Sequence, residues 1–438
     1  MVRHEYGYGV HKYDGVFNFD DSTIQHLGYP ASYIIFKDGD TIYAKNGDTG
    51  KVDFSGTDAA TVIQDTINNC DSGGLIFIKK GVYDISSTIE IPYNGIYICG
   101  EKASIKSDLS DKKGTFLSAA SNIEAIFKAT KSYIRGLHIE SLGLDCNSKA
   151  QYGVYISKGG EKNTVKNCFI IAFTQAGIYV SHSSIHHYEI EILENKIMGR
   201  ENSGSPYGIY IGSLASDNYI AHNLIQGCDT GIYLEYGTNI IIQNHISKVP
   251  ATSYSYGIYW KWAAGNLIVA NQIDNPTTSA FYGWADSQII IGNYIQVTST
   301  NLQSCLKLDP PSSLSYSHII FTNNILRGDS GYTISNSVSL GTNASTSPGI
   351  VVNNNVYENV TNIFKLENSG TATISNGSTS VTVTHGLAGT PTEIQLTGTH
   401  SEVKDAYVQN VGSTTFDIVV DSAVSADRTV YWKAVYKP

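Results

Sequence analysis

Between residues 179 and 310 the chain sets ionisable and aromatic side chains at recurring intervals. Glu235 and Lys261 each lie two residues beyond a repeated tyrosine, and the next repeats bring Trp262, Trp284-Ala285-Asp286 and Lys307-Leu308-Asp309. Glu235, Asp286 and Asp309 are candidate general acids or bases, since a carboxyl group can move a proton to or from a reacting bond. Lys261 and Lys307 are candidates to neutralise developing or fixed negative charge. Tyr179, Tyr210, Tyr233, Tyr259, Trp262 and Trp284 are rigid amphipathic rings on which a flat ligand can stack. His182 belongs to the cluster Ser181-His182-Ser-Ser-Ile-His186-His187-Tyr188, whose spacing is not a helical metal motif and which reads as solvated surface with one candidate ligand contact, His182. Arg200 and Glu201, in an insertion one repeat later, are placed to wall the same groove.

The elements that must hold these groups are repeats. Gly-Ile/Val-Tyr-apolar recurs at Gly153, Gly177, Gly208, Gly231 and Gly257. Asn-x-apolar recurs at Asn167, Asn195, Asn223, Asn244, Asn271, Asn293, Asn323 and Asn354. Two strand signals alternating roughly every 20–30 residues, with no helical segment between them, describe the coil of a β-solenoid whose core grows by stacking. The asparagines read as turn residues in the left-handed conformation that bond the next coil's backbone. Strand parity points the tyrosines outward, so Tyr155, Tyr179, Tyr210, Tyr233 and Tyr259 form a column, and alignment of Asn271 with Asn293 continues it at Phe281. The next outward positions are then Ser157, Ser181, Gly212, Glu235, Lys261 and Gly283, while Trp260 points into the core. Stacked tyrosines are also what plain cross-strand packing produces, and Glu235 beside Lys261 also reads as a surface ion pair of about 0–1 kcal/mol.

Outside the repeats, residues 1–50 read as a β extension with a hairpin at Asp38-Gly39. Thr57 is a cap for a helix over 57–70, with Ala59, Val62, Ile63, Ile67 and Cys70 on one face. The solenoid occupies 51–368. Alternating strands over 369–438 read as a separate small β-sandwich. Charged residues make up 16% of the chain and hydrophobic ones 41%, too apolar for disorder. A net charge of −10 with no basic run excludes a nucleic-acid partner. No stretch of 18 apolar residues spans a membrane. The opening Met1-Val-Arg-His-Glu-Tyr-Gly lacks the apolar run of a signal peptide. The six cysteines are widely spaced and read as buried fillers.

The block Gly56-Thr-Asp-Ala-Ala-Thr-Val-Ile-Gln-Asp-Thr-Ile-Asn, followed by Gly73-Gly-Leu-Ile-Phe-Ile and Gly81-Val-Tyr, resembles the N-terminal signature of the pectate-lyase-like superfamily. The resemblance covers roughly residues 50–365. It implies an all-β fold, a right-handed parallel β-helix capped by the N-terminal helix. It also implies a polysaccharide partner: the superfamily includes polysaccharide lyases, glycoside hydrolases, uronan epimerases and phage tailspikes. The polygalacturonase-type Asn-Thr-Asp, Asp-Asp, Gly-His-Gly and Arg-Ile-Lys set is absent, as is the pectate-lyase calcium cluster, so no catalytic residue carries over. The expectation is a glycoside hydrolase or polysaccharide lyase, hydrolysis preferred, with a non-catalytic glycan-binding spike as the alternative and a uronan epimerase third. Under the hydrolase expectation, Glu235 and Asp286 stand two rungs apart, about 9.6 Å between backbones, which suits inversion. No cofactor or metal is expected, calcium being the cation the family leaves open. An extracellular or virion-surface setting and a homotrimer complete the expectation.

Overall fold

The computed structural model describes residues 31–105, 111–199, 207–247, 255–312, 314–316, 318–341, 343–346 and 350–437. Arg200, Glu201 and the first 30 residues lie outside them.

Three long sheets run the length of the solenoid. Each full coil contributes one strand to each in turn, as in Asn218–Ala221 (sheet I), Leu224–Gln226 (sheet II) and Thr230–Leu234 (sheet III). Within each sheet the coils pair in parallel: Ile220 lies against Ile241, Ile225 against Ile246, and Ile232 against Ile258. The chain is a right-handed parallel β-helix, as the resemblance implied. Inward positions are mostly Ile, Val, Leu and Phe, and Ile220, Ile225 and Ile232 are fully buried. The hairpin Tyr33–Asp38 and Thr41–Asn46 pairs antiparallel around Gly39 and joins the N-terminal end of sheet I.

The cap helix, α1, runs Ala59–Asn68 and lays Ala59, Ala60, Val62, Ile63, Thr66 and Ile67 on the first coil. Its N-cap is Asp58 and not Thr57: the Asp58 carboxylate accepts from the Thr61 backbone N–H and hydroxyl. Aspartate at this position also meets the positive end of the helix dipole. After the last coil, strands Glu367–Ile374, Arg428–Val435 and Glu393–Gly398 form one antiparallel sheet. Ser380–Thr384, Thr415–Val419 and Tyr407–Gln409 form another, the two enclosing Phe416, Ile418, Val430 and Trp432 as a small β-sandwich.

The asparagine ladder is present, one residue away from the expected position at several coils. The Oδ1 of each rung accepts the backbone N–H and side-chain amide of the previous one through Asn195, Asn223, Asn244, Asn271, Asn293, Asn324 and Asn355. Asn167, Asn323 and Asn354 sit just before it. They take the left-handed conformation, as do Glu194, His222, Gln243 and Ala270, so the turn strain falls on the preceding residue. The ladder residue itself is free to face inward and satisfy buried amides. A second ladder, unforeseen from sequence, runs Asn218, Asn239, Asn266 and Gln288 at the sheet III to sheet I corner.

The glycine of Gly-Ile-Tyr has a steric cause. A Cβ on Gly231 would lie 2.5 Å from Ile246 Cγ2 and 2.7 Å from the Gly257 carbonyl oxygen of the next coil. Gly231→Ala is therefore expected to destabilise the helix by about 1–3 kcal/mol, as overpacking does. A thermal melt checks this, and a variant as stable as the parent would contradict it.

Candidate functional site

Sheet III presents the tyrosine column on its outer face in strict register: Tyr155, Tyr179, Tyr210, Tyr233, Tyr259 and then Tyr282. Phe281 does not continue the column. It pairs with Ile258, is fully buried, and occupies the inward place that Ile232 holds two coils earlier. Ser279-Ala280-Phe281-Tyr282 repeats Thr230-Gly231-Ile232-Tyr233, with one more residue between Tyr259 and its successor than the Asn271–Asn293 alignment allows. The same shift removes Gly283 from the next outward column. Gly283 faces inward under Trp260, and a Cβ there would lie 1.9 Å from the indole. Trp260 is buried as expected, its Nε1 donating to the Ala285 carbonyl.

A second tyrosine column was missed. Tyr152, Tyr207 and Tyr256 precede the motif glycine on alternate rungs, and the strand bends at that glycine so that these rings join the same outer face. Tyr152 stacks on Tyr179 at 4.6 Å, Tyr207 meets Tyr233 at 5.1 Å and Tyr256 meets Tyr282 at 4.8 Å. Along the main column, Tyr179–Tyr210 and Tyr210–Tyr233 are 4.6 and 4.8 Å apart, while Tyr233–Tyr259 and Tyr259–Tyr282 meet edge to face. Lysines close both ends: Lys128 lies 5.4 Å from the Tyr155 ring and Lys307 5.6 Å from Tyr282. Burial raises the phenol pKa of Tyr210, Tyr233 and Tyr259, helped at Tyr210 and Tyr233 by the nearby Glu235 charge, so these hydroxyls remain protonated donors.

Beside the tyrosines, backbone bonds from coil to coil align Ser157, Ser181, Gly212, Glu235, Lys261, Trp284 and Asp309. Glu235 accepts from the Tyr210 hydroxyl at 3.0 Å and sits 3.5 Å from Lys261 Nζ. Lys261 in turn lies 5.4 Å from the Trp284 ring. Trp284 also touches Tyr259 at 6.0 Å and Trp262 at 5.7 Å, and Trp262 is 49% exposed. Asp309 pairs with Lys307 at 3.1 Å. Gly341 leaves room for it on the following coil.

Asp286 is not part of this group. It lies past the end of the strand, where its carboxylate accepts the His318 backbone N–H of the next coil at 3.0 Å and faces that imidazole at 3.4 Å. The expected Glu235–Asp286 pair across a groove is therefore not formed. Glu235 and Asp309, which do share a column, stand three rungs apart, about 14 Å by rung count. That exceeds the roughly 6.5–9.5 Å of an inverting pair.

The histidine loop serves its own structure. His182 Nδ1 accepts the Ser184 and Ile185 backbone N–H groups at 3.1 and 3.0 Å, and His186 stacks on Tyr188. His187 is fully buried with neither ring nitrogen reaching a hydrogen-bond partner. Desolvation, with His182 and His186 nearby, pushes its pKa down to about 4 against a weaker pull from the Ser181 backbone. Its folded pKa lies below the ordinary 6.5, so protons favour the unfolded chain. The stabilisation from a neutral His187 is complete above that value, is lost as pH falls toward 4, and then levels off. Urea titrations at about pH 7 and about pH 4.5 should show a His187→Leu variant losing some 2–3 kcal/mol less than the parent. Equal losses would contradict this.

A cavity of about 670 Å³ lies elsewhere, at the open end of the last coil against the sandwich, between Ile350, Asn355, Phe364 and Tyr436. It holds none of the groups aligned on sheet III.

The three stacked parallel sheets and the N-terminal cap helix define the class of protein, the pectate-lyase-like fold. Residues 93–301 match the NosD family model, described as periplasmic copper-binding protein. No curated protein sequence matches the chain. Among solved structures, the Dettilon tailspike protein is similar at 14% identity and a TM-score of 0.49, over 86% of this chain and 91% of that one. DFA-IIIase from Arthrobacter chlorophenolicus A6 is similar at 10% identity and a TM-score of 0.47, over 68% and 95%. The gp49 tailspike of Pseudomonas phage LKA1 is similar at 12% and 0.38, over 85% and 92%. Identities this low leave the chemistry of those proteins their own.

Among the described residues the copper of the family description finds no three-donor site: no group of three His, Cys, Asp or Glu side chains is placed to hold a metal ion. Burial raises the thiol pKa to about 11 at Cys70 and Cys99 and about 12 at Cys168 and Cys228, which disfavours the thiolate a soft metal needs.

Proposed function

We propose that this protein binds an extended polysaccharide along the outer face of sheet III, in an extracellular or virion-surface setting. The observation that carries the reading is the doubled tyrosine column flanked by Glu235, Lys261, Trp284 and Asp309. Phenol edges and hydroxyls offer apolar contact and hydrogen bonds together, which suits sugar rings. Salt-paired charges at successive rungs offer fixed donors and acceptors to their hydroxyls. Tyr179, Tyr210, Tyr233, Tyr259, Trp262 and Trp284 are the proposed contacts, with His182 near the end where Ser181 joins the column.

Cleavage by hydrolysis is the second reading. It is favoured by one observation, the half-buried Glu235 carboxylate held between a phenol donor and an ammonium group. In that reading Glu235 is the proton-transferring group, and Asp309, too distant for direct partnership, positions the chain through Lys307. Elimination or epimerisation would instead use Lys261 and Lys307 to neutralise a uronate carboxylate.

A panel of neutral and acidic polysaccharides tests these readings, with binding by co-sedimentation, reducing ends and ultraviolet absorbance read together. Binding without either chemical signal is the expected result. Reducing ends that vanish in Glu235→Gln would establish hydrolysis, and rising absorbance would establish a lyase. No binding to any member would remove the carbohydrate reading.

A further inference from the structure

The outer face of the C-terminal sandwich has a chemistry of its own. In the sheet of Glu367–Ile374, Arg428–Val435 and Glu393–Gly398, the central strand is Arg428–Val435. Alternation sends Val430, Trp432 and Ala434 into the sandwich core and Thr429, Tyr431 and Lys433 outward. Tyr431 is 54% exposed, although it stands in the middle of the sheet. The residues directly across from it are Thr371 on one side and Thr397 on the other. Both are too short to cover a phenol, so the ring stands clear of its cross-strand neighbours.

A lone exposed tyrosine is ordinary on a protein surface. Here a second feature begins at the next outward position. A depression of about 260 Å³ is lined by Glu367, Glu393, Gln395, Lys433, Val435 and Lys437. Lys433 lies across from Gln395, and Val435 across from Glu367 and Glu393, so the depression opens on the same face as Tyr431. Its nearest strand residue, Lys433, is two positions from the tyrosine, about 7 Å along the strand. The charges in it cancel: Lys433 pairs with Glu367 at 2.9 Å, and Lys437 pairs with Glu393. Exposed pairs of this kind are weak, so each partner can turn to the hydroxyls of a ligand.

We infer that this face of the sandwich binds a single neutral sugar residue, at a site separate from the groups of sheet III and independent of them. The Tyr431 ring supplies the apolar surface on which the C–H face of a pyranose stacks. Thr371, Thr397, Gln395 and Lys433 supply hydroxyl, amide and ammonium partners around it. Pockets for drug-sized ligands run about 300–1,000 Å³, so a depression of about 260 Å³ takes one ring and not a chain. Balanced ion pairs, on a chain of net charge −10, offer no attraction to an anionic sugar. A second, weak site on the same chain strengthens attachment to a surface that repeats its sugar many times.

Saturation-transfer NMR titrations of the full chain test the inference, with the methyl glycosides of glucose, galactose, mannose and N-acetylglucosamine and with methyl glucuronide as probes. At least one neutral glycoside should bind, and more tightly than the glucuronide. Tyr431→Ala should weaken that binding roughly tenfold, as loss of a stacked ring does, and Tyr431→Phe should preserve it. Gln395→Ala should weaken it roughly threefold through the loss of one amide partner. Tyr407→Ala, on the opposite sheet of the sandwich, should leave it unchanged. A parent that binds no glycoside, or a glucuronide bound most tightly, would overturn the inference. So would full binding in Tyr431→Ala together with loss in Trp284→Ala, which would put the sugar on sheet III.

Discussion

Asn271→Ala should lower the stability of the β-helix by about 3–5 kcal/mol, as should the same change at its equivalents Asn244 and Asn293 in the ladder. The side chain is 1% exposed. Its Oδ1 accepts both the Asn244 backbone N–H and the Asn244 amide, and its Nδ2 donates to the Ile241 carbonyl and to Asn293. Alanine leaves those groups buried and unmatched, and each costs about 1–3 kcal/mol. Urea denaturation followed by circular dichroism measures the loss. A change under about 1 kcal/mol would mean that water reaches the corner and replaces the ladder.

Trp284→Ala should weaken glycan binding about 10- to 100-fold, the largest effect on the proposed function. At this residue Lys261, Tyr259 and Trp262 converge within 5.4–6.0 Å. Its loss removes a stacking surface and frees Lys261 from its place above the indole, changes worth about 1–3 kcal/mol together. Tyr155→Ala, at the far end beside Lys128, should cost less than about fivefold if the ligand is centred on the Glu235–Asp309 rungs. Calorimetric titration with oligosaccharides from the best-bound polysaccharide compares the two. Equal losses would move the centre of the site toward the N-terminal coils.

The coil-to-coil repeat was legible because each rung repeats the same physical demand: an inward Ile or Val, a glycine where the next backbone closes in, an outward tyrosine. The break at Phe281 was not, because coils differ by single residues at their corners and alignment on one corner does not fix the register of another sheet. Glycine bending hid Tyr152, Tyr207 and Tyr256, since strict alternation sends a residue three positions before the next outward tyrosine inward. The signal was present in Tyr-Gly-x-Tyr on every second rung. Asn324 and Asn355 were masked by their asparagine neighbours, of which the left-handed turn takes the first and the ladder the second. The placement of Asp286 depended on the turn that carries it to His318, and parity does not describe turns.

The most direct test of a ligand lying on sheet III uses the four tryptophans as reporters: Trp260 in the core, Trp262 and Trp284 on the outer face, and Trp432 in the sandwich. Titrating the parent with a bound oligosaccharide while reading tryptophan emission should give a saturable change. The change should disappear in Trp262→Phe combined with Trp284→Phe, although calorimetry still detects binding through the remaining rings. A signal that persists undiminished when Trp260 and Trp432 alone remain would place the ligand away from this face and contradict the account.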